Sequence, residues 1–130
     1  DRHESSGRSV AEFLNGHASV KRVLYPGLPN HPGYEVQSRQ ASGYGALITF
    51  DVGSYAAAKN LLDNLEVMSL AESLGGVETL ISHPASMTHA SVPPDKREEL
   101  GITEGMVRVS VGLEDLEDLV ADLDSALAKV

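Results

Sequence analysis

Arg108 is the residue whose type and position carry the most chemical information. It lies in the segment Met-Val-Arg-Val-Ser-Val at residues 106–111, where valines alternate with other residues. Side chains alternate between the two faces of a β-strand, so the pattern predicts a strand with the valines on one face and Arg108 on the other. If the second face is open to solvent, Arg108 is an ordinary surface residue. If it lines a pocket, the planar guanidinium can hold a carboxylate through two hydrogen bonds, a contact of about 1.5–3 kcal/mol.

Ser73 is a second candidate, because it precedes a predicted tight turn at Leu74, Gly75 and Gly76. Glycine adopts backbone conformations that other residues avoid, which makes a Gly-Gly pair typical of such turns. If Ser73 lies near Arg108, its hydroxyl or a backbone N–H group can donate to the same anion. Otherwise Ser73 is a simple turn residue.

Other kinds of site receive little support from the sequence. There is no glycine-rich motif of the dinucleotide or P-loop type. The chain contains no cysteine, which excludes disulfides and thiolate nucleophiles. His83 and His89 flank a proline-containing loop without a third convergent ligand, so we expect no metal site. Asp115 with a serine and a histidine elsewhere is no more than any chain of this length offers as a catalytic triad.

The composition argues against nucleic acid and membranes as partners. The formal net charge is -9 and Lys+Arg number only 10, so a phosphate-attracting surface is not expected. No apolar run approaches the roughly 20 residues that span a bilayer. We expect a globular domain of a cytoplasmic protein.

An acidic cluster lies in the C-terminal part of the chain. Its members are Glu114, Asp115, Glu117, Asp118, Asp122 and Asp124. Acidic side chains near the N-terminus of a helix are favourable, so the cluster predicts a solvated helix face. No function is assigned to it.

Hydrophobic periodicity and turn residues predict helices and strands in a mixed order. The predicted helices are 2–15, 34–40, 54–64, 93–101 and 113–129, and the predicted strands are 20–25, 46–50, 67–70, 78–82 and 106–111. Ser54 is the predicted N-cap of its helix, and the apolar stripe of the last helix is predicted to begin at Leu113. This order predicts an α/β domain of the α+β sandwich type, in which helices cover one sheet.

Long segments of the chain resemble one enzyme family. The resemblance rests on SLAESLGGVETLISHPASMTHASVPPDKREELGI, on MVRVSVGLEDLEDLVADLDSAL, and on the upstream VKRVLYPGLPNHPGYEVQSRQASGYGALITF. In this order they closely resemble the C-terminal region of the pyridoxal-phosphate (PLP) enzymes of Cys/Met metabolism. That family includes cystathionine γ-synthase, cystathionine γ-lyase, methionine γ-lyase and the homoserine sulfhydrylases.

The resemblance implies an architecture. Residues 1–130 are expected to form the small C-terminal domain of a fold-type-I PLP enzyme, with a mixed or antiparallel sheet covered by helices. The large N-terminal domain that holds PLP is expected to precede it, and the full-length protein is expected to be a homotetramer. None of the lysines follows the Ser-x-Thr motif expected around the Schiff-base lysine of the family. The chain by itself is therefore expected to contain no catalytic residue, to bind no PLP covalently and to be inactive.

The resemblance also implies roles for individual residues. Arg108 corresponds to the arginine that binds the substrate α-carboxylate. Ser73, with its neighbour Leu74, is implied to lie at the same site, and Ser73 is also implied to contact the cofactor. Thr88, in the Ser-Met-Thr-His segment, is implied to border the substrate. Glu72 resembles the acidic residue typical of cystathionine γ-synthases and γ-lyases, whereas methionine γ-lyases and sulfhydrylases tend to have a non-acidic residue there.

Three functional hypotheses follow. The first is the substrate-carboxylate-binding domain of a transsulfuration enzyme, which acts by γ-replacement or γ-elimination on homoserine esters or cystathionine in methionine biosynthesis or cysteine metabolism. The second is methionine γ-lysis or direct sulfhydrylation within the same family. The third is a stand-alone, non-catalytic binding module.

Fixing the α-carboxylate decides which bond to the α-carbon stands perpendicular to the PLP ring, and PLP supplies the electron sink.

Overall fold

The helices and strands follow one another in the predicted order. A computed structural model describes residues 1–130. Its helices are α1 (Arg2–Gly16), α2 (Tyr34–Gln40), α3 (Tyr55–Asp63), α4 (Pro94–Glu99) and α5 (Leu116–Leu127), and its strands are β1 (Arg22–Leu24), β2 (Leu47–Asp51), β3 (Ser69–Leu70), β4 (Leu80–Ser82) and β5 (Met106–Ser110). None of the helices combines the length and the apolar character that crossing a membrane requires.

The strands form one five-stranded sheet with β5 at its centre, in the order β1-β2-β5-β4-β3. Neighbouring strands are antiparallel except β3 and β4, which are parallel. The sheet is therefore mixed, and the prediction of a helix-covered mixed sheet is confirmed. Arg108 of β5 lies opposite Thr49 of β2 on one side and opposite Ser82 of β4 on the other.

One face of the sheet forms the hydrophobic core. Val107 and Val109 of β5 are fully buried there and pair with Phe50 and Ile48 of β2. Helices α1, α3 and α5 pack on this face. The period-two pattern of β5 thus assigned its valines to the correct face, because side chains of directly paired residues project from the same side of a sheet.

The sequence predicts the start of α3 correctly but not the start of α5. Ser54 caps α3 as expected, because its hydroxyl accepts the Ala57 N–H at 3.1 Å. The predicted start of the last helix at Leu113 is wrong. Helix α5 begins at Leu116 after the cap Asp115, and Leu113 is 38% exposed with its N–H donated to the Val77 carbonyl. Leu113 therefore belongs to a turn that joins β5 to α5.

The expectation that all the acidic residues near the C-terminus form a solvated face is also wrong. Asp122 is only 7% exposed. Its carboxylate accepts the backbone N–H groups of Glu66, Val67 and Met68 at 2.8, 3.0 and 3.0 Å. In this way Asp122 satisfies the backbone between α3 and β3, which has no strand or helix partner of its own there.

Glu114 forms a second internal contact. Its carboxylate accepts the N–H and the hydroxyl of Thr79, each at 2.6 Å, and the Thr79 hydroxyl oxygen in turn accepts the Gly112 N–H at 2.8 Å. Burial by itself raises the pKa of Glu114, but the hydrogen bonds from Thr79 favour the charged form and lower the pKa below its ordinary value of 4.5. Glu114 thus ties the chain after β5 to the chain before β4.

Replacing Asp122 with alanine should destabilise the fold strongly. The Asp122→Ala variant removes the acceptor of three backbone N–H groups, and we expect a loss of about 3 kcal/mol in the free energy of unfolding. Urea unfolding followed by circular dichroism measures this change. Asp124→Ala is the matched control on the same helix: Asp124 is exposed and faces only His17 at 3.5 Å, so we expect a change within about 0.5 kcal/mol. Equal effects of the two substitutions would contradict the role given to Asp122.

The stability of the chain should depend on Glu114 at acid pH. Because the pKa of Glu114 is lowered in the folded state, its contribution is fully present above the ordinary value of 4.5 and is lost as the pH falls through the lowered folded-state pKa. We expect the free energy of unfolding to fall less steeply between about pH 5 and about pH 3 for Glu114→Gln than for the wild type. Urea titrations at a series of pH values give both slopes. Identical slopes would show that Glu114 is not held in its charged form.

Candidate functional site

Arg108 lies in the central strand on the face opposite the core. Its neighbours on that face of β5, Met106 and Ser110, are only 7% and 4% exposed, whereas Arg108 itself is half-buried. The face is therefore covered on both sides of Arg108. The face that carries Arg108 is therefore not an open solvent face, which is one of the two possibilities left by the alternating pattern of β5.

The guanidinium of Arg108 is oriented by the backbone. Its Nη2 donates to the Glu72 carbonyl oxygen at 2.9 Å. The guanidinium makes no other hydrogen bond within the chain, and no carboxylate lies within ion-pair distance of it. Arginine carries five N–H donors, so most of them remain available to an external acceptor.

The segment from Glu72 to Gly75 lies beside Arg108. Gly75 has a φ of 78°, in the left-handed region that favours glycine, and the chain bends at Gly75 and Gly76 without the backbone hydrogen bond of a tight turn. Its N–H donates to the Ser110 hydroxyl at 2.8 Å. Glu72, Ser73 and Leu74 are exposed, and neither the Ser73 hydroxyl nor the Glu72 carboxylate has a hydrogen-bond partner in the chain. The structure thus brings the segment that contains Glu72, Ser73 and Leu74 beside Arg108 on the face of the sheet opposite the core.

Thr88 is not joined to this group by a hydrogen bond. It lies in the turns that follow β4, is exposed, and its hydroxyl is 2.8 Å from Nδ1 of His89. His83, the other histidine of this segment, is 2% exposed, with Nδ1 at 2.7 Å from the Ser86 hydroxyl and Nε2 at 2.8 Å from the Glu104 carbonyl. These contacts give His83 a structural role, and no group of three or more potential ligands is placed to hold a metal ion.

Sequence reasoning missed two serines on the Arg108 face. Ser110 follows Arg108 by two residues and accepts the Gly75 N–H. Ser82 lies directly opposite Arg108 on β4, is 1% exposed, and its hydroxyl has no hydrogen-bond partner. The alternation of β5 signals that Ser110 shares the face of Arg108, but the partner strand of Arg108 cannot be read from local sequence.

The lysines do not form an anchor for an aldehyde cofactor such as PLP. All of them are exposed, namely Lys21, Lys59, Lys96 and Lys129. The hydrogen bond and charge of Asp63 raise the pKa of Lys59, which opposes the loss of the proton that attack on an aldehyde requires. Lys96 donates to Glu99 at 2.6 Å and Lys129 to Asn64 at 3.0 Å. The residues present therefore fit an anion-binding role and do not fit a covalent PLP site.

The chain is similar to known proteins over nearly its whole length. Residues 1–128 match the family model of the Cys/Met metabolism PLP-dependent enzymes. The chain is 51% identical to L-methionine γ-lyase of Fusobacterium nucleatum, and the aligned region covers 100% of this chain and 33% of that protein. It is 49% identical to cystathionine γ-lyase of Bacillus subtilis, covering 98% of this chain and 34% of that protein.

A solved structure shows the same fold. Cystathionine γ-synthase from Xanthomonas oryzae pv. oryzae, in complex with aminoacrylate and cysteine, superimposes with a TM-score of 0.94 and 46% identity, covering 98% of this chain and 33% of that chain. The chain spans about a third of the length of the relatives it matches. Since the family model covers nearly the whole chain and the fold agrees with it, the chain belongs to the Cys/Met metabolism family of PLP-dependent enzymes.

Proposed function

We propose that this chain binds the α-carboxylate of an amino-acid substrate, as the C-terminal domain of a PLP-dependent transsulfuration enzyme of the cystathionine γ-synthase or γ-lyase type. The observation that carries the proposal is Arg108, whose guanidinium is fixed by one backbone carbonyl and has no acidic partner in the chain. An arginine in a central strand without an internal counter-ion suits an external carboxylate.

The hydrogen bond from Arg108 to the Glu72 carbonyl orients the guanidinium and leaves its other N–H groups free to donate. One N–H of Nη2 is used by the carbonyl, and this fixes the plane of the guanidinium. The other edge can then present two parallel N–H groups to the two oxygens of a carboxylate. The fixed plane reduces the side-chain entropy that is lost when the substrate binds.

The neighbouring turn adds polar groups without protein partners. The Ser73 hydroxyl can donate to the same carboxylate, and the exposed Leu74 side chain borders the space in front of it. Thr88 is assigned a position at the edge of the substrate by the family resemblance alone. Together with Arg108, Ser73 explains how this chain holds the substrate, while the placement of the lysines implies that another part of a longer protein holds PLP.

The proposal includes the expected partners of the chain. A large domain that precedes it supplies the cofactor site, and the full-length enzyme is a homotetramer. The length of the relatives supports the additional domain, because each is about three times as long as the aligned chain.

Glu72 supports a cystathionine substrate over methionine. Its carboxylate is exposed, has no ion-pair partner, and belongs to the residue whose carbonyl fixes Arg108. Cystathionine carries an ammonium group at the end remote from the reacting carbon, which a carboxylate attracts. Methionine has no such group. Methionine γ-lysis is the second candidate, favoured by the 51% identity to the Fusobacterium nucleatum enzyme.

Substitution of Arg108 should weaken substrate binding in the full-length enzyme. For Arg108→Ala we expect the KM for cystathionine to rise about 100-fold, because two charge-assisted hydrogen bonds are lost. Arg108→Lys should give an intermediate value, since an ammonium cannot make the same paired contact. Steady-state kinetics with product analysis measure both effects. Arg39→Ala, at the exposed end of α2, is the control and should leave KM unchanged. An unchanged KM in Arg108→Ala would reject the carboxylate-binding role.

Substitution of Glu72 should change the choice of substrate. For Glu72→Gln we expect kcat/KM for cystathionine to fall about tenfold while kcat/KM for methionine stays equal or rises, because only cystathionine has the distal ammonium. Competition between the two substrates, followed by quantification of their products, gives the ratio directly. Glu78→Gln, an exposed carboxylate of the same loop, is the matched control. Parallel changes for both substrates would show that Glu72 does not recognise the distal ammonium, and would remove its support for cystathionine over methionine.

A further inference from the structure

We propose that Ser110 and Thr79 are positioning residues that hold the turn of residues 72–76 against Arg108, and so set the affinity for the substrate carboxylate. This inference rests on the proposed function and deepens it. Neither residue need touch the substrate. Ser110 acts on the backbone of the turn at Gly75, whereas Thr79 acts through Gly112, whose neighbour Leu113 donates its N–H to the Val77 carbonyl just after the turn.

The turn of residues 72–76 has almost no backbone support of its own. The backbone hydrogen bonds outside regular elements include Ala71 N–H to the Ile81 carbonyl before the turn and Leu113 N–H to the Val77 carbonyl after it, but none that involves residues 72–76. The nearest strand, β3, ends at Leu70. The conformation of the turn therefore depends on contacts with side chains.

Strand β5 supplies the first pair of these contacts. Arg108 donates to the Glu72 carbonyl at 2.9 Å, and the Ser110 hydroxyl accepts the Gly75 N–H at 2.8 Å. Arg108 and Ser110 are two residues apart and share one face of the strand, so a rigid element fixes the spacing of the two contacts. Ser73 and Leu74 lie between the two anchored positions.

At the far end of the turn, His3 Nε2 lies 3.1 Å from the Gly76 carbonyl oxygen, and Thr79 and Glu114 supply a further anchor just beyond it. Thr79, only 1% exposed, donates its hydroxyl and its N–H to Glu114 and accepts the Gly112 N–H. The backbone at Gly112 lies close to the backbone at Val77, since a Cβ atom added to Gly112 would be 2.3 Å from the Val77 carbonyl oxygen. Any loosening at Thr79 is therefore transmitted to Val77 and to the turn that precedes it.

The expected effect is on binding. A looser turn releases the Glu72 carbonyl from Arg108 and moves the Ser73 hydroxyl, and both changes weaken a contact that exists in the ground state and in the transition state alike. Loss of such uniform binding raises KM and leaves kcat nearly unchanged. A merely structural defect instead lowers the fraction of active enzyme, which reduces the apparent kcat and leaves KM unchanged.

The test uses the full-length, PLP-loaded enzyme with Ser110→Ala and, separately, Thr79→Val. For each we expect the KM for cystathionine to rise about fivefold, because the turn is held less firmly against Arg108, with kcat within about twofold of the wild type. Thr79→Ser keeps the hydroxyl and should restore the wild-type KM. Hydrogen exchange of the peptide that contains Gly75 should be faster in Ser110→Ala and Thr79→Val.

Thr103→Val is the matched control. The Thr103 hydroxyl also donates to a carboxylate, that of Asp51 at 2.6 Å, but at a place remote in sequence from the turn. It should change neither KM nor the exchange of the Gly75 peptide. If Thr79→Val does not fold, the KM and the exchange of the Gly75 peptide in Ser110→Ala still test the positioning role.

The outcomes separate this inference from the proposed function. If Arg108→Ala raises KM but Ser110→Ala and Thr79→Val do not, the positioning role is rejected and the carboxylate site stands. If exchange of the Gly75 peptide quickens in both positioning variants while Arg108→Ala leaves KM unchanged, the turn is held as proposed and the carboxylate site is rejected. Unchanged exchange in both variants rejects the anchoring itself.

Discussion

The antiparallel pairing of β5 with β2 and β4 is the constraint on which the rest of the structure depends. Because β5 is the central strand, its backbone is fixed on both sides, and its side chains alternate between two different environments. Val107 and Val109 enter the core, while Arg108 and Ser110 face the turn at residues 72–76. One strand thus joins the stability of the domain to the geometry of the site.

Two carboxylates, those of Asp122 and Glu114, accept backbone N–H groups that have no partner in a helix or strand. Asp122 satisfies three N–H groups between α3 and β3, and Glu114 joins Thr79 to the turn after β5. Both connect segments that are distant in sequence, and both lie close to the short strands β3 and β4. Short strands offer few ladder hydrogen bonds, so side-chain acceptors at their ends have a larger share in fixing the chain.

The site is incomplete in a way that agrees with its proposed role. Arg108 has donors without acceptors, Ser73 has a hydroxyl without a partner, and the exposed lysines are not placed to hold an aldehyde cofactor. A domain that holds only one end of the substrate needs a fixed cation and a few polar groups. Under the proposed function, the chemistry at the α-carbon is carried out by a separate part of the enzyme that holds PLP.

The sequence by itself determined the order of all helices and strands, the limits of α2, the cap at Ser54, the face of the β5 valines and the family. These features depend on local periodicity, on local turn chemistry or on long motifs. Only the tertiary structure decided that Asp122 is buried, that Leu113 precedes α5, and that Ser82 lies opposite Arg108. Asp122 meets its partners across 54 to 56 residues, and such distant contacts leave no periodic signal in the chain.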